Sequence, residues 1–281
     1  GLGDVYKRQE SYIIADGVGG RFSVLSPVSL LPAALVGIDI ESLLAGAAAM
    51  DERCQREEPT HNPAAMFAAV HFLADQRLRA NISVMMPYAS SLKEVADWYC
   101  QLWAESLGKA CNRQGKQVFV GQTPVKALGV TDQHSQVQLY TEGPFDKIIT
   151  LIQVQEFGKH LRIPALFVDV DELAYLGEKS VAALLEAERR GTEIALTQAG
   201  RMNLIISLPR VSAHSMGQLF FCLEVATALA GELYDIDAFN QPGVEAGKIA
   251  TYALMGRKGY ENKAREIASR PAKDGRLRLE R

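Results

Sequence analysis

Four side chains in this sequence are of the types that move protons or hold charge: Glu105, Arg21, His134 and Lys248. Glu105 lies in Gln101-Leu-Trp-Ala-Glu105-Ser-Leu-Gly-Lys109, near the end of an expected amphipathic helix. Ser91-x-x-Glu94 reads as a capping box opening that helix, and Leu92, Val95, Tyr99 and Leu102 recur at helical spacing as its core stripe. Gly108 is the expected stop. A carboxylate held there can stand at a pocket rim on a rigid support and act as an acid–base group. Spacing alone also allows a plainer reading, because Glu105 and Lys109 are four apart, as in an ordinary solvated ion pair.

Arg21 follows a glycine turn, Asp16-Gly-Val-Gly-Gly-Arg21-Phe-Ser23, after an expected strand at Tyr12–Ala15. Strand, glycine turn and helix are how an α/β sheet presents a ligand site. A dinucleotide fingerprint needs glycine at the sixth position from Gly17, where Phe22 stands. The glycines, with Gly20 as the expected substrate contact, instead let backbone approach a ligand beside Arg21. Lys248 follows the helix start at Pro242, and Glu245 three residues back offers it an ion-pair partner. His134 opens a polar stretch; His61, His71, His160 and His214 are read as structural. His71 and Asp75 share a helix face but lack a third ligand, so no metal site is expected.

The elements that must position these groups alternate along the chain. Strands are expected at Ile82–Met86, Gln117–Val120, Ile148–Ile152, Ala165–Val170 and Leu204–Ser207, with a helix near 178–190 and a long one from Met216 to Leu233. Asn62-Pro63 marks a further helix start. This alternation argues a three-layer α/β/α architecture with a mostly parallel sheet. With 281 residues there is room for one large or two ordinary domains, and 48% apolar and 22% charged residues make an ordinary globular balance. A net charge of -3 gives no reason to expect nucleic acid or an anionic membrane as partner. The apolar runs are read as broken by Pro, Gly and charge before they could span a bilayer. Four cysteines without metal spacing suit a reduced, cytoplasmic compartment. The Lys/Arg-rich tail beyond Gly256 reads as a solvated helix rather than a nucleic-acid arm.

Four stretches, in this order, resemble the glucose-6-phosphate isomerase family: Asp16-Gly-Val-Gly-Gly-Arg-Phe-Ser, Gln101-Leu-x-x-Glu105-Ser-x-Gly-Lys109, Thr131-Asp-Gln-His134-Ser-Gln and Phe239-Asn-Gln-Pro-Gly-Val-Glu-x-x-Lys248. The common pattern has Asp where Asn240 stands and Gly where Ser29 stands. The resemblance implies sugar-isomerase-type (SIS) α/β domains, an aldose–ketose isomerase acting on a phosphorylated hexose through a cis-enediolate, no cofactor, and a homodimer with a shared active site. It further implies Glu105 as the base between C2 and C1 and Arg21 as the enediolate's cation. His134 from the partner subunit and Lys248 would assist ring opening, with Gln101 and Gln241 positioning the substrate.

By the same resemblance, residues 1–9 read as non-native adapter sequence, 10–40 as the end of the smaller domain and 41–281 as the large domain with a helical tail. The expectation is that the family's Ser/Thr-rich phosphate loop lies upstream of residue 10 and that this stretch alone is inactive. The alternative reading is a sugar-phosphate-binding regulator on the same fold. Such a module has no need of Glu105, His134 and Lys248 together.

Overall fold

In chain order the first elements are the helices α1 (Pro27–Leu35), α2 (Ile40–Cys54) and α3 (Pro63–Leu78), followed by β1 (Ile82–Pro87) and α4 (Lys93–Leu107). Then come β2 (Lys109–Cys111), β3 (Gln117–Val120), β4 (Thr123–Lys126), α5 (Thr131–Glu142) and β5 (Lys147–Glu156). A single turn α6 (Asp171–Ala174), α7 (Val181–Gln198), β6 (Met202–Arg210) and α8 (Ala213–Leu233) follow. The computed structural model describes residues 10–271.

Four strands pair in parallel in the order β4-β1-β5-β6. Ile82 stands opposite Thr123 on one side and Lys147 on the other, and Ile148 opposite Met202. Central β1 is apolar and buried almost end to end, as a strand covered on both faces must be. Side chains alternate between two cores. Val84, Met86, Ile149 and Leu151 meet Tyr140 of α5 and Leu196 of α7. Met85, Ile152 and Val154 meet Phe67 of α3, Tyr99, Leu102 and Trp103 of α4, and Leu219 and Leu223 of α8. Helices therefore cover both sheet faces, which is the expected three-layer α/β/α arrangement. The short antiparallel pair β2–β3 stands apart from the sheet.

The helix boundaries follow local chemistry. Asn62 caps α3, its Oδ1 accepting from the Ala65 amide at 2.9 Å, with Pro63 at the first helical position. Helix α8 is long and apolar enough to cross a membrane by length and composition. That corrects the reading that every apolar run is broken too soon. In this fold it is a core helix, with Leu223, Ala226 and Ala230 fully buried. It approaches α2 to backbone contact: a Cβ built on Gly217 would lie 1.8 Å from the Leu43 carbonyl oxygen, and one on Gly46 1.9 Å from that of His214.

Three local expectations fail. Tyr12–Ala15 forms no strand and is exposed; no neighbouring strand pairs with it. Ala165–Val170 is also irregular. The amides of Leu166 and Val170 close turns on Pro164 and Phe167 instead of joining a ladder, and Leu166, Phe167 and Val168 are exposed. The capping box does not form either: Ser90–Leu92 makes a 3-10 turn, and α4 begins at Lys93 without a side-chain cap.

The chain divides after Phe239 into two compact units. The second holds α9 (Pro242–Leu254) and α10 (Glu261–Ala268), the latter with no buried residue. The expected adapter at 1–9 and the tail beyond residue 271 lie outside the described residues.

Candidate active site

Helix α4 carries Glu105 and is anchored from both sides. Tyr99 shares a hydrogen bond of 2.7 Å with Ser83 of β1, and Tyr99, Leu102 and Trp103 are wholly buried. The helix ends at Leu107, and Gly121, at a φ of 116° that suits only glycine, passes so close that a Cβ there would lie 2.6 Å from the Leu107 carbonyl oxygen. That approach places the end of α4 at the edge of the sheet where β1 and β4 begin.

There Glu105 meets Arg21. The Gly20–Phe22 turn delivers Arg21 into the protein, and only 3% of it stays exposed. Its Nε donates to Ser106 Oγ at 2.7 Å, its Nη2 to the Ala238 carbonyl at 2.7 Å, and its Nη1 stands 3.4 Å from Glu105 Oε1. Trp98 Nε1 donates to the Arg21 carbonyl at 3.2 Å. A guanidinium buried this way has its three directions fixed, and an ammonium could not reproduce that fork. Burial pulls the Arg21 value down, and the charges of Glu105 and Asp237 oppose that shift. The Glu105 side chain keeps 22% exposure, so its carboxylate faces solvent on one side and the arginine on the other. Gln101 Nε2 reaches its second oxygen at 3.3 Å, and the space above Gly20 is open.

The expected Glu105–Lys109 surface pair does not exist. Lys109 is 7% exposed, and its Nζ donates to the backbone carbonyls of Glu105 at 2.9 Å and Ser106 at 2.6 Å. The spacing argument assumed that the helix runs through Lys109, but it has already ended. A lysine just past a glycine stop turns back onto the last carbonyls. Burial first, and repulsion from Arg21 second, bring Lys109 down to about 8, while Asp237 and Glu105 act the other way. Lys109, Ser106 and Trp98 are members of this cluster that the sequence reading assigned no part in it.

His134 is elsewhere. It is exposed on the first turn of α5, beside Gln133, whose side chain accepts from Tyr88 at 2.9 Å and donates to Glu188 at 2.7 Å. Tyr88 follows the last residue of β1, so His134 lies at the opposite edge of the sheet from Glu105. The 15 residues of α4 run between the two edges, roughly 20 Å. Gln241 and Lys248 belong to the second unit. Gln241 is the N-cap residue of α9, and Lys248 pairs with Glu245 at 2.7 Å, as the spacing suggested.

The first unit thus gathers Gly20, Arg21, Gln101 and Glu105 at the end of one helix, and defines a parallel-sheet α/β protein with a carboxylate set against a buried arginine. Comparison with known proteins gives the family. Residues 6–269 match the family model of phosphoglucose isomerase, and the chain belongs to that family. It is 54% identical to a glucose-6-phosphate isomerase of Carboxydothermus hydrogenoformans over 92% of this chain and 55% of that protein. Against one of Rubrobacter xylanophilus it is 51% identical over 86% and 54%. The chain thus spans about half the length of the curated relatives it matches. A hypothetical protein of Thermus thermophilus superimposes with a TM-score of 0.83 at 37% identity, covering 91% of this chain and 60% of that one. A glucose-6-phosphate isomerase of Chlamydia trachomatis shares the fold, with a TM-score of 0.76 at 23% identity over 91% and 51% of the two chains.

Proposed function

We propose that this chain is the larger part of an aldose–ketose isomerase that interconverts glucose 6-phosphate and fructose 6-phosphate, a step of glycolysis and gluconeogenesis. The observation that carries the reading is the partly exposed Glu105 carboxylate held 3.4 Å from the buried Arg21. A proton on carbon next to a carbonyl is weakly acidic, so its removal needs a carboxylate close by and a fixed cation for the charge that appears on oxygen. General base catalysis typically contributes about 10²- to 10⁴-fold. Preorganised charge gives on the order of 10²- to 10³-fold more. Glu105 takes the proton from C2 and returns it to C1, since a cis-enediolate presents both carbons on one face. Arg21 steadies the oxygens, and Gln101 orients both carboxylate and sugar. Gly20 lets the sugar come close to backbone, Gln241 helps to position it, and Lys248 aids ring opening.

His134 serves a site in a second copy of the chain. The support is topological: one chain carries Glu105 and His134 at opposite sheet edges, whereas an acid and a base that share one sugar must both lie within hydrogen-bond reach of it. The phosphate grip is proposed to lie in a segment matched by none of residues 10–281. These 281 residues assayed alone are therefore expected to stay at background, because losing a non-reacting anchor lowers turnover as well as affinity. Turnover at an enzymatic rate by this chain alone would place a phosphate site within it.

The test of the base is Glu105→Gln in the full-length protein. Turnover should fall by at least about 10³-fold with substrate affinity largely kept. Exchange of the C2 hydrogen with solvent should vanish as well. A variant that still exchanges at the normal rate removes Glu105 from this role.

A further inference from the structure

Ser106 and Lys109 sit behind the carboxylate, and neither reaches the solvent-facing side of Glu105. A buried ammonium is costly unless its donors are satisfied. The bonds that Lys109 makes go to two carbonyls that the end of α4 leaves without helical partners. Ser106 is wholly buried, and its hydroxyl accepts from Arg21 Nε at 2.7 Å. Four links therefore converge on one dipeptide. Lys109 holds the carbonyls of Glu105 and Ser106, while Arg21 holds the carboxylate of the first and the hydroxyl of the second.

We propose that Lys109 and Ser106 are positioning residues, a clamp on the backbone and side chain of the helix end that fixes the Glu105 carboxylate against Arg21. The proposal rests on the reading of Glu105 as the base. A displacement of about 1 Å at a reacting group can cost on the order of 10²-fold in rate, which is the scale such a clamp controls. Lys109 also senses pH through its position. The charges that face it are Arg21 from the glycine turn, Glu105 of its own helix and Asp237 beyond α8, and its value of about 8 follows from burial beside that arginine. As pH rises through that value the lysine loses a proton, its charge at the negative end of α4 disappears, and both carbonyl bonds weaken.

The experiment measures kcat, KM and their pH dependence for the full-length wild type, Lys109→Met, Lys109→Arg and Ser106→Ala. It also follows the exchange of the Arg21 Nε hydrogen by NMR. For Lys109→Met, kcat should fall by about 30- to 100-fold with KM changed less than about threefold. Wild-type kcat should decline in a one-proton step near the lysine's value of about 8. That step should be absent in Lys109→Met and, since arginine keeps its proton, in Lys109→Arg. The Arg21 Nε hydrogen should exchange faster in both Lys109→Met and Ser106→Ala. A folded Lys109→Met with kcat within about threefold of wild type overturns the proposal. If that variant does not fold, a flat wild-type profile between about pH 7 and 9.5 overturns it equally. A wild type without isomerase activity defeats the functional reading instead. The clamp is then judged on Arg21 exchange, and unchanged exchange in Ser106→Ala refutes it.

Discussion

His71 and Arg21 are both buried bases, and the protein treats them differently. Arg21 keeps its charge because its donors find a hydroxyl, a carbonyl and a carboxylate. His71 has no such company. It stacks on Phe67 at 4.0 Å and meets the edge of Trp103 at 5.3 Å, with Nδ1 on the Phe67 carbonyl and Nε2 buried without a partner. Burial alone drives its value from 6.5 down to about 4. Between those two values the unfolded chain binds a proton that the folded chain does not. Stability therefore rises with pH across that window and is lost on acidification, by on the order of 3 kcal/mol once pH lies below both. His71→Phe keeps the stacked surface and cannot take up the proton. The urea midpoint of the variant should fall less than that of wild type between about pH 7 and 5. Equal falls would mean that carboxylates elsewhere, not His71, set the acid limit.

At the scale of elements, the two faces of helix packing lead to opposite predictions for one substitution. Gly46 and Gly217 let α2 and α8 touch backbone to backbone, and an added Cβ there meets carbonyl atoms that cannot rotate away. Gly46→Ala or Gly217→Ala must push the helices apart, at a cost of roughly 3 kcal/mol or more. Gly191, inside α7, has nothing within 4 Å of a would-be Cβ. Gly191→Ala should stabilise by about 0.5–1 kcal/mol through helix propensity alone. Urea unfolding of the three variants checks the contrast, and a neutral Gly46→Ala would mean that the close approach is not needed. Elements of this kind were legible in the sequence where the signal is local. The Asn62-Pro63 start of α3 and the buried stripe of α4 need only neighbouring residues to be recognised. Strands need a partner that periodicity does not name. Tyr12–Ala15 and Ala165–Val170 have strand composition without a ladder to join, while β2 and β4, at three and four residues, are too short to show a period. Gln101 and Glu105 were found from their motif, but the work of Ser106 and Lys109 was hidden. Their partners are the helix's own carbonyls and an arginine 85 residues away from Ser106 in sequence.

For the whole molecule, the proposed chemistry turns on which chain supplies His134. Within one chain, α4 separates it from Glu105 by roughly 20 Å, so both can act on one sugar only if two copies pair about a two-fold axis. In such a dimer each site takes Glu105 from one subunit and His134 from the other. Glu105→Gln and His134→Ala are then each inactive alone, for lack of a different half of the same site. In a hybrid dimer one site loses both groups and the other keeps both. Equal amounts of the two full-length variants, dissociated and reassociated at random, give half hybrids with one intact site of two, or about a quarter of wild-type activity. Native mass spectrometry of differently tagged subunits would show how far hybrids have formed. Activity that tracks the hybrid fraction supports the shared site. Hybrids that form in full and remain as inactive as either parent would place both residues in one subunit's site, and the separation across the sheet would then demand another explanation for His134.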